Sequence, residues 1–238
     1  MIVLAIDTCD SRGSVALWRE GAVLAIAEHD SGEEYSSWLL PAVARVLERA
    51  GLGAADVDAY GVASGPGSFT GVRVGLTTVK AWCEVYGKPG AAVSRLGAMA
   101  WQVSGEGKFI AAFANAQKGL VFGAVYRRDG TGLEVVREEM VIAPGKFVEL
   151  AAELAQDGRI TWVTTDPEQV LADDAWKNRE TRGEGIESVS CFLAPAIAAI
   201  AAKRMAKGQL QGALELDANY VQRPAAETYW KVNTTRGS

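Results

Sequence analysis

Along the chain, apolar positions first run together, then alternate, then recur every three to four residues. Ile2 to Ile6 is a short apolar run, which predicts a buried strand. Ser14 to Trp18 and Ala22 to Glu28 predict two more strands, turned at Arg19-Glu20-Gly21, where Gly21 suits a position needing positive φ. The chain therefore opens with an antiparallel meander. From Ser36 to Ala50 the period lengthens: Leu39, Val43, Val46 and Ala50 mark a helix. Pro41 cannot donate to the Ser37 carbonyl, so the first turn is expected to be kinked or to start late. A connector (Gly51 to Asp58), a strand (Tyr60 to Ala63), a loop (Ser64 to Gly71) and a helix from about Thr70 to Val85 follow. Ala91 to Val93 reads as a strand and Leu96 to Val103 as a helical piece.

The pattern then restarts. Phe109 to Ala114, Val121 to Tyr126 and Leu133 to Val141 predict strands, with turn residues at Gly119 and Asp129-Gly130. Pro144 opens a helix to about Leu154, and Ile160 to Thr164 is a strand. Asp173 to Gly185 reads as a surface loop or short helix. Phe192 to Met205 is helical, with Leu193, Ile197 and Ile200 on one face. Strand-strand-strand-helix-strand-helix thus occurs twice, which predicts a duplicated α/β fold of two lobes. The polar, Gly-rich Ser104 to Lys108 is the expected boundary, giving lobes at 1–104 and 105–238.

Composition narrows the function. The net charge of the 238 residues is -5, and no basic run is longer than Arg127-Arg128 or Lys203-Arg204. Phosphate binding draws on clustered Lys and Arg, so any RNA is expected to be held mainly by a partner. Cys9, Cys83 and Cys191 stand far apart, which suits free thiols in a reducing compartment better than a zinc site. The N-terminus has no basic leader and no apolar stretch reaches transmembrane length, so a cytoplasmic, membrane-free protein is expected. The end of the chain, from Asn233, reads as a loose tail.

The densest motif is Ser64-Gly65-Pro66-Gly67-Ser68-Phe69-Thr70-Gly71-Val72-Arg73-Val74-Gly75-Leu76. Gly75 in a helix costs about 1 kcal/mol relative to Ala. A close approach along the Gly71–Gly75 stripe would explain that, either by another subunit or by the chain's own sheet. The loop lacks the Gly-Lys-Ser/Thr of a Walker phosphate loop, and no dinucleotide fingerprint is present. Arg73 lies one turn into the helix, where the dipole disfavours a cation. It either reaches solvent or pairs with a carboxylate across an interface. Asp7 ends the first strand, where a turn role outweighs a metal role. His29 reads as a surface polar residue. Tyr35 and Trp38 are either partner anchors or ordinary core and boundary aromatics. The segment from Tyr220 to Pro224 reads as laid back on the body.

With Ile6-Asp7-Thr8, Val15-Ala16-Leu17, Leu39-Leu40-Pro41 and above all Gly65 to Gly75, the chain resembles the tRNA threonylcarbamoyladenosine biosynthesis family TsaB from Met1 to about Arg223. The resemblance implies the two-lobe, ribonuclease H-like fold of actin, Hsp70 and sugar kinases. It also implies an accessory role with no catalytic residue, metal or cofactor. The implied partners are a TsaD-like transferase subunit, which places threonylcarbamoyl on adenosine 37 of tRNA, and a TsaE-like ATPase that joins the pair. Alone, a homodimer through the same face is implied, with tRNA met only indirectly. Gly67, Phe69, Gly71, Arg73 and Gly75 become expected interface residues, with Tyr35, Trp38 and Leu39 beside them. Two departures stand out. Tyr35-Ser36 replace the family's His then Thr or Ser. Asn115-Ala116-Gln117-Lys118 stand where the family reads Asp-Ala-Arg followed by an acid. A phosphotransferase of the sugar-kinase type is the alternative, and it needs an acid opposite Asp7. A peptidase is a poorer one, since His29 is the sole histidine.

Overall fold

Each half of the chain builds one five-stranded mixed sheet, and both sheets have the same plan. The computed structural model describes residues 1–30, 32–104, 109–130, 132–156, 158–167 and 173–221. The first sheet is formed by β1 (Ile2–Asp7), β2 (Gly13–Arg19), β3 (Ala22–His29), β4 (Ala59–Ala63) and β5 (Gly90–Val93), in the order β3-β2-β1-β4-β5. The first three strands pair antiparallel, as the meander predicts, while β4 and β5 join parallel to β1. The β2–β3 turn has positive φ at both Glu20 and Gly21, the geometry that matches strand twist in a two-residue hairpin. The second sheet repeats this arrangement with β6 (Phe109–Asn115), β7 (Val121–Asp129), β8 (Gly132–Ile142), β9 (Ile160–Thr164) and β10 (Ile186–Ser188), ordered β10-β9-β6-β7-β8. β10 lies just past a stretch whose charged, weakly patterned residues mask it in the sequence.

Helices α1 (Tyr35–Arg49) and α2 (Phe69–Tyr86) cover one face of the first sheet. Alternation along β4 separates the two faces. Tyr60 points to the groove lined by Leu40 and Trp82, and Val62 approaches Gly75, while the Cα of Gly61 faces Ile197 and Ala201. Those two residues belong to α6 (Ala194–Ala206), which sequence order places in the second lobe but which packs on β1, β2, β4 and β5. Helix α3 (Arg95–Trp101) lies against α6 and the second sheet, and α4 (Pro144–Leu154) packs with α5 (Asp174–Glu180). Ile110, Ala112 and Ala114 of β6 join the large shared core. Ala111 and Phe113 turn to a smaller core with Phe147, Trp162 and Trp176, whose rings meet nearly edge to face. Trp162 and Trp176, scattered in sequence, are thus structural. Buried Glu184 accepts from Trp162 Nε1 and from the Arg179 guanidinium beside them.

Helix α1 begins at Tyr35, correcting the expectation of a late start. Ser37 and Pro41 are both exposed, so the carbonyl left without its donor lies on the solvent side. Part of the expected boundary, 105–108, lies outside the described residues, as do Trp230, Arg223-Pro224 and the tail from Asn233.

Candidate functional site

The site is built on the loop after β1. Asp7 Oδ1 accepts the Cys9 N–H at 2.9 Å, closing a tight turn. The N-terminus of α2 then locks onto this loop: Ser68 N–H donates to the Cys9 carbonyl at 2.7 Å, and Thr8 Oγ1 donates to the Gly71 carbonyl at 2.6 Å. Ser68 caps the helix, accepting from Gly71 N–H. The glycines have a specific job here. A Cβ on Gly67 would overlap the Cys9 carbonyl oxygen, and one on Gly71 would overlap that of Thr8. At Gly75 it would stand 2.7 Å from Thr8 Oγ1 and 3.2 Å from Val62 Cγ2. The Gly71–Gly75 stripe therefore seats α2 on the chain's own β1 loop and first sheet, which corrects the reading of it as a face open to a second molecule. Trp38 and Leu39 need the same correction, since both are buried in the first core. Phe69 and Arg73 stay at the surface, and Tyr35 is half-buried.

Arg73 finds partners within the chain. Its Nε donates to Tyr220 Oη at 3.1 Å, and its guanidinium lies 3.7 Å from the Phe69 ring centroid. Asn219 N–H donates to the Ser64 carbonyl at 2.8 Å, so the segment ending at Tyr220 does lie back on the body. His29 is buried, contrary to the surface expectation. It stacks on Tyr35 with ring centroids 4.3 Å apart and meets Trp38 edge-on, and its ring nitrogens face the carbonyls of Ser11 and Glu33. Tyr35 Oη donates to the Asp10 carbonyl at 2.7 Å.

A cleft of about 710 Å³ opens between the two sheets, lined by the Cys9–Ser11 and Gly67–Thr70 loops and, across it, by Asn115 and Gln117. The residue at its base that sequence reasoning missed is Arg95. Its guanidinium is buried, 3.8 Å from Asp7 Oδ2 and 2.5 Å from Asp10 Oδ2. Burial pushes the Asp7 carboxyl above its usual range, against the pull of Arg95. Burial acts the same way on Asp10, but Arg95 and the Ser11 N–H outweigh it and hold Asp10 low. Two carboxylates thus meet here with a guanidinium between them. The acid that a sugar-kinase mechanism needs opposite Asp7 is not at Asn115, whose Oδ1 accepts the Gln117 N–H in a turn with positive φ at Gln117, Lys118 and Gly119. Among the described residues no three His, Cys, Asp or Glu side chains group as metal ligands, and no helix is long and apolar enough to cross a membrane. Cys9 and Cys83 are buried and Cys191 partly so, all as free thiols.

A second pocket of about 530 Å³ lies on the other side of Ser94-Arg95. Ser94 Oγ caps α3 and binds Glu139 Oε1 and Tyr126 Oη of the second sheet. Burial raises the Glu139 carboxyl to about 7. Because the folded chain holds this proton more tightly than the unfolded one, stability falls as pH rises from about 4.5 to 7. Urea unfolding across that window is expected to show this decline in the wild type and a flatter profile in Glu139→Gln. Parallel profiles would refute the assignment.

The comparisons with known proteins fit this geometry. The family model described as "TsaD: tRNA N6-adenosine threonylcarbamoyltransferase" matches residues 28–206. The tRNA threonylcarbamoyladenosine biosynthesis protein TsaB of Escherichia coli K12 is 36% identical over 168 residues, covering 69% of this chain and 70% of that protein. The TsaB of Bacillus subtilis 168 is 31% identical over 153 residues, covering 64% and 67%. A Pseudomonas aeruginosa crystal structure, described as an uncharacterized protein with similarity to peptidase YEAZ, superposes with a TM-score of 0.74 at 23% identity, over 93% of this chain and 99% of that one. On these matches, the chain belongs to the TsaB (YeaZ-like) family.

Proposed function

We propose that this chain is a non-catalytic subunit that pairs with a TsaD-type transferase in the threonylcarbamoyl modification of adenosine 37 in tRNA, joined by a TsaE-type ATPase, and that alone it pairs with itself through the same face. The pairing face is the outer side of α1 and α2. The observation that carries this is exposed apolar surface on those helices: Leu40 is 58% and Val85 74% exposed, and Leu40, Ala44 and Tyr86 line a groove of about 190 Å³. Phe69 and Arg73 lie at the other, N-terminal end of α2. The glycine lock contributes indirectly, by fixing how α2 sits. The strand order common to both sheets supports the duplicated actin-like plan, with lobes at 1–104 and 105–238 and α6 returned to the first.

Mixing the chain with a TsaD-type subunit and following mass by light scattering tests the reading. The wild type is expected to give a heterodimer. Leu40→Glu and Val85→Glu, both at solvent-exposed positions, should each weaken it by about tenfold or more without lowering thermal stability. A wild type that never associates, or variants that pair as tightly, would end this reading.

A further inference from the structure

The two basic doublets of the sequence are separate in the chain but adjacent in the fold. Arg128 is the last residue but one of β7, and Lys203 and Arg204 lie in the last turn of α6, with Lys207 directly after it. Arg128 and Lys203 converge on Trp101 at the end of α3, and Arg204 and Lys207 line the same pocket as Trp101 and Lys203. The Arg128 guanidinium stands 5.7 Å and Lys203 Nζ 5.3 Å from its ring centroid. Arg127 is taken by Glu134 at 2.6 Å. Among the described residues, no ion pair of that kind engages Arg128, Lys203, Arg204 or Lys207. The helix dipole accounts for Lys203 and Lys207 but not for Arg128, which comes from the other sheet.

We propose that Arg128, Lys203, Arg204 and Lys207 around Trp101 form a contact for the phosphate backbone of the RNA that the paired complex handles. This rests on the pairing reading above and departs from the indirect relation to tRNA that composition suggests. Two observations favour a polyanion. First, the arginines are held from behind: Arg128 donates to the carbonyls of Ala100 and Trp101 at 3.1 and 3.0 Å, and Arg204 to that of Ala92 at 2.6 Å. Cations fixed in place lose little freedom when an anion arrives. Second, like charges crowd the cluster. Partial desolvation, then Lys207 and Arg128, lowers the Lys203 ammonium, with Asp129 opposing. Acids temper the patch. Glu138 and Glu139 line the same pocket and Asp129 adjoins it, but the Glu139 carboxyl turns in to Ser94. The surface is therefore a weak contact that adds to a partner's hold, consistent with the net charge of -5. Its position allows this. Helix α6 covers the face of the first sheet opposite α1 and α2, so the patch lies away from the proposed pairing face.

The test uses the reconstituted pair of this chain and a TsaD-type subunit, with fluorescently labelled tRNA and anisotropy titrations at several salt concentrations. Lys203→Gln/Lys207→Gln is expected to weaken binding and to reduce the slope of log affinity against log salt by about one per lysine. Lys146→Gln, on α4 away from the patch, should change neither. A pair that forms normally but binds tRNA with the same affinity and slope when both lysines are replaced overturns this proposal alone. A wild-type pair that does not form overturns the pairing reading, and this one with it.

Discussion

Arg95→Met is expected to destabilise the chain by about 3 to 5 kcal/mol at neutral pH, the range for removing one partner of a buried ion pair. Met replaces the aliphatic stem of the arginine, so lost packing is small, but Asp7 stays fully buried with no counter-charge. The deficit should shrink in acid. In the variant, folded Asp7 binds its proton more tightly than the unfolded chain does, so variant stability falls as pH climbs from about 4. Asp10, held low by Arg95 in the wild type, returns toward its ordinary range and stops favouring the folded state above it. Urea titrations of both proteins at pH 4 and pH 7 measure the difference. A loss below about 1 kcal/mol at pH 7 would mean that the guanidinium does not neutralise this site.

Gly71→Ala separates the two readings of the glycine stripe. Helix propensity alone would make alanine stabilising by about 1 kcal/mol. The Cβ would instead meet the Thr8 carbonyl oxygen, a backbone atom held by the turn at Asp7 and the cap of α2. The expected result is a net loss of about 3 kcal/mol, at the upper end for overpacking. Gly75→Ala should cost less, because the nearest obstruction there is the Thr8 hydroxyl. If Gly71→Ala stabilised the isolated chain and only weakened its pairing, the stripe would face another molecule after all.

Most of the architecture was legible from periodicity. The meander, strands β4, β5 and β9 and the helices at 69–86, 144–154 and 194–206 follow from spacing, because each buries apolar residues in a core, while β10 does not. What spacing could not show was which body each apolar face meets. Gly71 and Gly75 signal a close approach, and only the fold says that the approaching backbone is that of Thr8. Trp38 and Leu39 are equally ambiguous, since a partner anchor and a core residue share the same chemistry. Arg95 was missed although a signal existed. A lone arginine between Val93-Ser94 and Leu96-Gly97-Ala98 sits in a buried run and must find anions. Lys203, Arg204 and Lys207 are legible as a cluster at one helix end, whereas Arg128 and Trp101 come from other elements and join it only in the fold.

The return of α6 to the first sheet has a consequence for synthesis. A nascent chain that has emerged through β5 holds all five strands of that sheet, yet the face centred on Gly61 stays bare until residues 194–206 follow. The first half cannot complete its interior on its own, so its folding waits until residues 194–206 of the second half are available.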